Sequence, residues 1–153
     1  MFSEKLKRCV GFTLIELLIT LAIVGTLAAI AVPLFSSYSE KNKISTAKTD
    51  IRVIQNEINR YLYTSDNLPA DLAEIGLGGM LDPYGNPYQY LVSATAPPGE
   101  KRKDRSLVPV NTDYDLYSMG ADGKSVAPFT AKDSHDDIVR ASNGEYVGLA
   151  SNY

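Results

Sequence analysis

The chain has 153 residues, which is enough for one domain in addition to an N-terminal apolar segment. It carries 15 Lys and Arg residues against 18 Asp and Glu residues, and this acidic balance argues against a dedicated nucleic-acid-binding protein, whose binding surface is basic. The single cysteine, Cys9, excludes an intramolecular disulfide, and the single histidine, His135, makes neither a catalytic triad nor a zinc site, so we predict no enzyme and no catalytic residue.

A long apolar segment follows a short basic N-terminus. The twenty-four residues from Phe12 to Phe35 contain one formal charge, Glu16. An α-helix needs only about 20 residues to cross a bilayer core. Basic residues beside a span stay on the cytoplasmic side, and three of them precede this one: Lys5, Lys7 and Arg8. We therefore predict a single membrane span over residues 12–35, with a cytoplasmic N-terminus.

The junction of these segments carries a motif, in which Gly11 is followed by Phe-Thr-Leu-Ile-Glu. In an ordinary secretory signal the apolar core precedes the cleavage site, whereas here it follows the glycine. This arrangement resembles the class III leader of type IV pilins and pseudopilins, whose prepilin peptidase cleaves after the glycine and methylates the new N-terminus. The resemblance implies a leader of residues 1–11, cleavage between Gly11 and Phe12, and N-methylation of Phe12. A plain N-terminal anchor would explain the hydrophobicity but not Gly11 or Glu16.

Glu16 is the charged residue of the span. A carboxylate inside a bilayer is costly and indicates a function. In the family that the motif resembles, this glutamate pairs during assembly with the N-terminal amine of the neighbouring subunit, which here is the amine of Phe12. The alternative is that Glu16 lies close enough to the cytoplasmic face to reach water.

The helical pattern continues beyond the span. Apolar residues recur at spacings of three and four, which is typical of an amphipathic helix: Ile44, Ala47, Ile51, Ile54, Ile58 and Tyr61. We predict one helix from about Phe12 to about Tyr63, half of it transmembrane and half packed on a globular domain. Joined to the N-terminal motif, such a helix resembles that of a pilin subunit, and the resemblance implies a pilin-like α+β fold in which the helix packs on a small antiparallel sheet with long loops. The globular, periplasmic domain is predicted to comprise residues 36–153.

The next elements are short. Residues 64–67 are capping and turn residues that end the long helix, and residues 69–75 read as a short helix with proline in its first turn. Residues 82–88, Asp-Pro-Tyr-Gly-Asn-Pro-Tyr, form proline turns that open a strand over 88–92. This segment resembles the major pseudopilins of type II secretion systems. It favours them over adhesive type IV pilins, whose C-terminal region is usually closed by a disulfide.

A long loop and two further strands follow. Residues 95–105 include the run Glu-Lys-Arg-Lys-Asp-Arg, which we predict to be a solvated loop. Such a run can bind a polyanion, but no aromatic residue is interleaved for stacking on bases, so we expect no nucleic acid. Residues 113–119 alternate and predict a returning strand, and residues 145–149 predict a last short strand.

A turn and a second loop follow the returning strand. Residues 120–123, Gly-Ala-Asp-Gly, contain a common turn signal. In the major pseudopilins that this segment resembles, the Asp of this sequence, a carbonyl three residues earlier and an Asp before a later Ile bind calcium. The resemblance implies calcium ligands at Met119, Asp122 and Asp137, with Asp136 as the alternative to Asp137 because the intervening loop is longer than is usual. Hard oxygen ligands suit calcium. The alternative is that Asp122 is only a turn residue.

The resemblance implies a structural protein, the major pseudopilin of type II secretion, which polymerises into a periplasmic filament anchored at the inner membrane. Its implied partners are other copies of the chain, minor pseudopilins, the inner-membrane assembly platform and the prepilin peptidase. One alternative is a type IV pilus subunit at the cell surface, serving adhesion, motility or electron transfer. Another is a membrane-anchored calcium-binding or polyanion-binding module that does not polymerise.

Overall fold

The computed structural model describes residues 11–153, so most of the predicted leader, with its basic residues and Cys9, lies outside the described part. The chain divides into two compact units, one ending at Ser39 and one comprising Glu40–Tyr153. A single helix, α1, runs over Leu14–Ser65 and contains Pro33. Its ends agree with the predicted helix to within two residues. Among residues 11–153, it is the one helix long and apolar enough to cross a membrane.

In the first unit every described side chain from Gly11 to Ser39 is exposed. In the second unit α1 buries one stripe, made by Ala47, Ile51, Ile54 and Ile58, as the spacing of apolar residues predicted. These side chains form the main core together with sheet residues, among which Tyr114, Leu116 and Ile138 are buried. The amphipathic half of α1 therefore packs on the sheet because its apolar residues recur on one face.

The sheet has four antiparallel strands in the order β1-β2-β3-β4. The strands are β1 (Gln89–Val92), β2 (Tyr114–Ser118), β3 (Ile138–Ala141) and β4 (Tyr146–Leu149). Strands β1, β2 and β4 confirm the predicted strands, and the α+β class is confirmed as well. Strand β3 was not predicted, because its four residues are all buried and give no alternation, and because Arg140 lies among them.

Two long segments cover the other face of the sheet: the first loop, residues 93–113, and the second loop, residues 119–137. They supply Val110 and Phe129 to a second apolar cluster, which also contains Val139, Ala141 and Ala150. Successive residues of a strand point to opposite faces, so β3 places Ile138 towards α1 and Val139 towards the loops. The backbones of the two loops are joined at Lys103, whose N–H donates to the carbonyl of Ala127 at 2.9 Å and whose carbonyl accepts from Phe129 at 2.9 Å.

The short helix predicted over residues 69–75 is a series of turns. The carboxylate of Asp71 accepts hydrogen bonds from the N–H groups of Ala73 and Glu74, at 2.8 and 3.1 Å. Gly76 then adopts a φ of 77°, a left-handed conformation that ends helices. Asp71 caps the start of the segment and Gly76 ends it only five residues later, so a regular helix does not extend over residues 69–75.

Candidate functional site

The N-terminal motif begins α1 with a pair of reciprocal hydrogen bonds. The N–H and the hydroxyl of Thr13 donate to Glu16 Oε2 at 2.9 and 2.7 Å. The N–H of Glu16 donates in return to Thr13 Oγ1 at 3.3 Å. This is a capping box, in which a Thr and a Glu three residues apart satisfy the free N–H groups of the first helical turn. The spacing Thr-x-x-Glu is a local signal for this capping box, separate from the charge of Glu16.

The capping box leaves part of Glu16 available. Its hydrogen bonds within residues 11–153 use Oε2, while no described donor contacts Oε1. Gly11 and Phe12 precede the helix, and the side chain of Phe12 is 84% exposed. The residues predicted for cleavage, methylation and assembly are therefore adjacent at one exposed helix start.

The Asp-Pro-Tyr-Gly-Asn-Pro-Tyr segment joins α1 to the turn after β2. Tyr84 donates its hydroxyl to Glu40 at 2.5 Å, and Tyr88 donates to Asp50 at 2.8 Å, both on α1. Asp82 accepts a hydrogen bond from the Ser118 hydroxyl at 2.5 Å. Burial and the neighbouring carboxylates raise the pKa of both tyrosine hydroxyls, so they act as donors at neutral pH. The motif thus has a structural role that its turn residues alone did not reveal.

The structure places the predicted calcium ligands at two locations. Asp136 faces the Gly-Ala-Asp-Gly turn, where its Oδ2 accepts from the N–H groups of Ala121 and Asp122 at 2.8 and 3.1 Å. Asp122 uses its own Oδ1 to accept from the N–H of Lys124 at 2.8 Å. A side chain at Gly120 would collide with Asp136, because a Cβ there would lie 2.4 Å from its carbonyl oxygen.

Asp137 turns away from this turn into the protein interior. Its Oδ2 accepts from Arg102 Nη2 at 2.5 Å and from the Ser125 hydroxyl at 2.6 Å, while Oδ1 is buried and has no hydrogen-bond partner among residues 11–153. Burial raises the pKa of Asp137 to about 6, against the lowering effect of Ser125 and Arg102. Within residues 11–153, no three acidic, histidine or cysteine side chains are grouped as a metal site. The calcium ligand set therefore stays a prediction.

Arg102 is the residue that the sequence analysis missed. The basic run was predicted to be solvated, but the side chain of Arg102 is only 2% exposed, so the prediction is wrong at this position. Nη1 donates to Ser125 Oγ at 2.6 Å and to the carbonyl of Val126 at 2.5 Å. Its guanidinium lies over the rings of Tyr117 and Phe129, at 4.5 and 5.3 Å from their centres. Composition could not distinguish it from the flanking lysines, since only the pairing of the two loops turns it inward.

A second arginine, Arg140 on β3, pairs with Asp113. The two hydrogen bonds between them measure 2.6 and 2.9 Å, and the guanidinium lies 3.9 Å from the ring centre of Tyr114. Partial burial raises the pKa of Asp113, but the hydrogen bonds and charge of Arg140 outweigh it and hold this pKa below its usual range. The pair explains how a charged residue is tolerated in the interior of the sheet.

Comparison with known proteins places the chain in a family. A model described as "Prokaryotic N-terminal methylation motif" matches residues 6–32, which include Gly11, Phe12 and Glu16. The "Type II secretion system core protein G" of Pseudomonas aeruginosa is 33% identical over 137 residues, covering 74% of this chain and 84% of that protein. The chain belongs to the core protein G family. The protein of the same name from Vibrio cholerae is 29% identical over 152 residues, covering 85% and 92% of the two chains.

Membership of the core protein G family confirms the predicted resemblance. A pilin is also similar to part of the chain: the "Type IV major pilin protein PilA" of Myxococcus xanthus is 39% identical over 97 residues, which cover 63% of this chain and 43% of the pilin. No solved structure matches. These relatives are structural subunits rather than enzymes, and they imply a pilus-like filament. The methylation motif and the single N-terminal apolar helix fit a membrane-anchored protein.

Proposed function

We propose that this core protein G is the major pseudopilin of a type II secretion system. After removal of residues 1–11 and N-methylation of Phe12, it polymerises into a periplasmic filament. The observation that carries the proposal is the exposed apolar start of α1, whose one charge is Glu16. Such a surface requires lipid before assembly and neighbouring subunits after it, because a large apolar patch is not left in water.

Assembly depends on the carboxylate of Glu16 at the helix start. With Oε2 of Glu16 held by Thr13, the remaining oxygen can accept the N-terminal amine of Phe12 from a neighbouring subunit. Removing one member of a buried ion pair typically costs ~3–5 kcal/mol. Glu16→Ala therefore remains inserted, since the span becomes more apolar, but its filament yield falls sharply. Thr13→Val, which keeps the carboxylate but removes the hydroxyl, is the matched control and retains assembly.

The finer assignments follow from the same proposal. The N-terminus faces the cytoplasm of the inner membrane, where a prepilin peptidase cleaves and methylates the chain. An inner-membrane platform and minor pseudopilins then join it in the filament. The chain has no enzymatic role of its own in this scheme, and Glu16 and Phe12 act only in assembly.

Processing gives the most direct test. Gly11→Val leaves an uncleaved precursor, because a branched side chain does not fit a site shaped for glycine. Gly25→Val is the matched control: it places the same side chain inside the span, where the structure leaves open space around the glycine, and it is processed normally. We expect mass spectrometry of the wild-type filament to identify a chain that starts at methylated Phe12. Filaments that retain Met1 overturn the proposal.

The similarity to the Myxococcus xanthus pilin supports a second candidate, a type IV pilus subunit exposed at the cell surface. The two candidates differ in location. A protease added to intact cells degrades a surface pilus but leaves a periplasmic filament protected until the outer membrane is permeabilised. Deletion of the gene separates them as well, because loss of a pseudopilin stops secretion of folded proteins. A membrane-anchored module that never polymerises is excluded if filaments form on overexpression.

A further inference from the structure

The first and second loops meet at Arg102. It belongs to the first loop, and the side-chain hydrogen bonds of its guanidinium all end on the second loop, at Ser125, Val126 and Asp137. Two of these partners lie near the middle of the second loop, and the third is its last residue. One side chain therefore connects two separate parts of the second loop to the first.

The charges at this contact are buried. The side chains of Arg102 and Asp137 are 2% and 0% exposed. A buried carboxylate is strongly unfavourable unless a cation and hydrogen bonds compensate it. Arg102 provides a cation and a hydrogen bond that offset part of this cost, and the rings of Tyr117 and Phe129 cover its guanidinium, which favours the cation and keeps water away. The other buried arginine, Arg140, is engaged with Asp113.

We propose that Arg102 is the cation that closes the second loop of this protein, in the place of the calcium ion that the family resemblance implies. Closing the loop then requires no divalent ion. The proposal concerns the globular unit alone and does not depend on whether the filament is a pseudopilus or a surface pilus.

The predicted ligands fit calcium poorly. Calcium takes about six to eight oxygen ligands that converge on one point. Here Asp122, Asp136 and Asp137 accept hydrogen bonds from three different sets of donors, and Asp137 already binds a cation. Its buried Oδ1, which accepts no hydrogen bond from residues 11–153, is the oxygen that remains for a metal. An ion at that oxygen would lie beside the guanidinium of Arg102, and the two positive charges would repel.

A chelator distinguishes a loop closed by an arginine from a loop closed by a calcium ion. The guanidinium of Arg102 is part of the chain, so a chelator cannot withdraw it. A calcium-closed loop, in contrast, opens when the ion is withdrawn, and the stability then depends on the ion concentration. The two mechanisms therefore predict different responses of one protein to a chelator.

The experiment compares melting temperatures of the full-length protein in detergent. Near-ultraviolet circular dichroism of the tyrosines monitors the unfolding. Each variant is melted in millimolar calcium chloride and in excess chelator. We expect the wild type to melt at the same temperature in both. Arg102→Gln should lower the melting temperature by roughly 10 °C or more, because it leaves a buried carboxylate without its cation. The control, Lys103→Gln in the same basic run, should shift it by a few degrees at most.

A double variant covers the case in which Arg102→Gln does not fold. Arg102→Met with Asp137→Leu removes both charges, and replacement of a buried pair by apolar residues is often close to neutral. We expect this variant to melt at a temperature close to that of the wild type, and at the same temperature in calcium chloride and in chelator. Two results overturn the proposal: a wild type that melts several degrees higher in calcium, with the difference lost in Asp122→Asn, or an Arg102→Gln variant that melts like Lys103→Gln.

Discussion

The two faces of the sheet are covered in different ways. One face packs on α1 through aliphatic and aromatic side chains, with Ile54, Leu116 and Ile138 fully buried. The other face is covered by the two loops, where a smaller apolar cluster lies beside buried polar and charged residues: Arg102, Asn111, Asp115 and Asp137. A helix satisfies its own backbone, so it needs only an apolar stripe to pack. Loops cannot do this, and side chains from distant positions must supply their hydrogen bonds.

The largest effect is expected at the helix-covered face. Ile54→Ala removes a fully buried side chain from the main core and should lower the free energy of unfolding by ~2–5 kcal/mol. Its neighbour Val53 is 46% exposed, so Val53→Ala should stay within ~0.5 kcal/mol. Denaturant unfolding of both variants measures the difference. Equal losses would show that this face is not the main apolar core.

The pH dependence of stability should distinguish the two arginine–aspartate pairs. Since the folded state raises the pKa of Asp137 to about 6, folded protein keeps a proton that unfolded chain releases between pH ~4 and ~6. The free energy of unfolding should therefore fall by up to ~3 kcal/mol as pH rises through this window. Asp137→Asn should flatten this part of the curve.

The Asp113 pair should behave in the opposite way. Its pKa is held below the usual range, so its contribution is present above pH ~4 and is lost as the pH falls further. The effect should be smaller than that of Asp137, because Asp113 is about one-third exposed and solvent screens the pair. Unfolding midpoints collected from acid to neutral pH give both slopes, and a single slope of one sign would contradict the contrast.

At the loop-covered face, a buried polar residue, Asn111, should contribute to the free energy of unfolding. Asn111 is buried, donates to Asp115 at 2.8 Å and to the carbonyl of Arg140 at 3.0 Å, and accepts from the N–H of Asn143 at 2.9 Å. Asn111→Ala leaves these groups without partners and should cost ~1–3 kcal/mol. The exposed Asn42 is the control, and Asn42→Ala should be near neutral. Denaturant unfolding of both variants measures the difference. Equal free energies of unfolding for Asn111→Ala and Asn42→Ala would argue against a stabilising polar network around Asn111.

The smallest effect is expected where a turn joins α1. Tyr84→Phe removes only the hydroxyl that donates to Glu40 and should lower the free energy of unfolding by ~0.5–1.5 kcal/mol. Tyr63 on the same helix is 91% exposed, and Tyr63→Phe should have no measurable effect. A thermal melt resolves the two if the turn supports the helix. If Tyr63→Phe loses more stability than Tyr84→Phe, the hydrogen bond from Tyr84 to Glu40 is not the stabilising contact.

The sequence alone determined the parts of this protein whose signals are local. The motif from Gly11 to Glu16 identified the broad class of pilins and pseudopilins, and the spacing of Ala47, Ile51, Ile54 and Ile58 determined which side of α1 is buried. Helical periodicity and peptidase motifs depend on residues a few positions apart, so they are readable without a fold. Three of the four strands followed from alternation and turn residues, whereas the α+β class followed from the resemblance to pilins.

Only the tertiary structure decided which charged residues are buried. Arg102 is buried because Lys103 pairs with the second loop, and its partner Asp137 lies thirty-five residues away. Strand β3 carries Arg140 in a buried position because Asp113, just before β2, pairs with its charge and the ring of Tyr114, on β2, packs against its guanidinium. Neither arginine differs in local sequence from a solvated one. Burying a charge becomes favourable only when distant groups converge on it, and that convergence is a property of the fold.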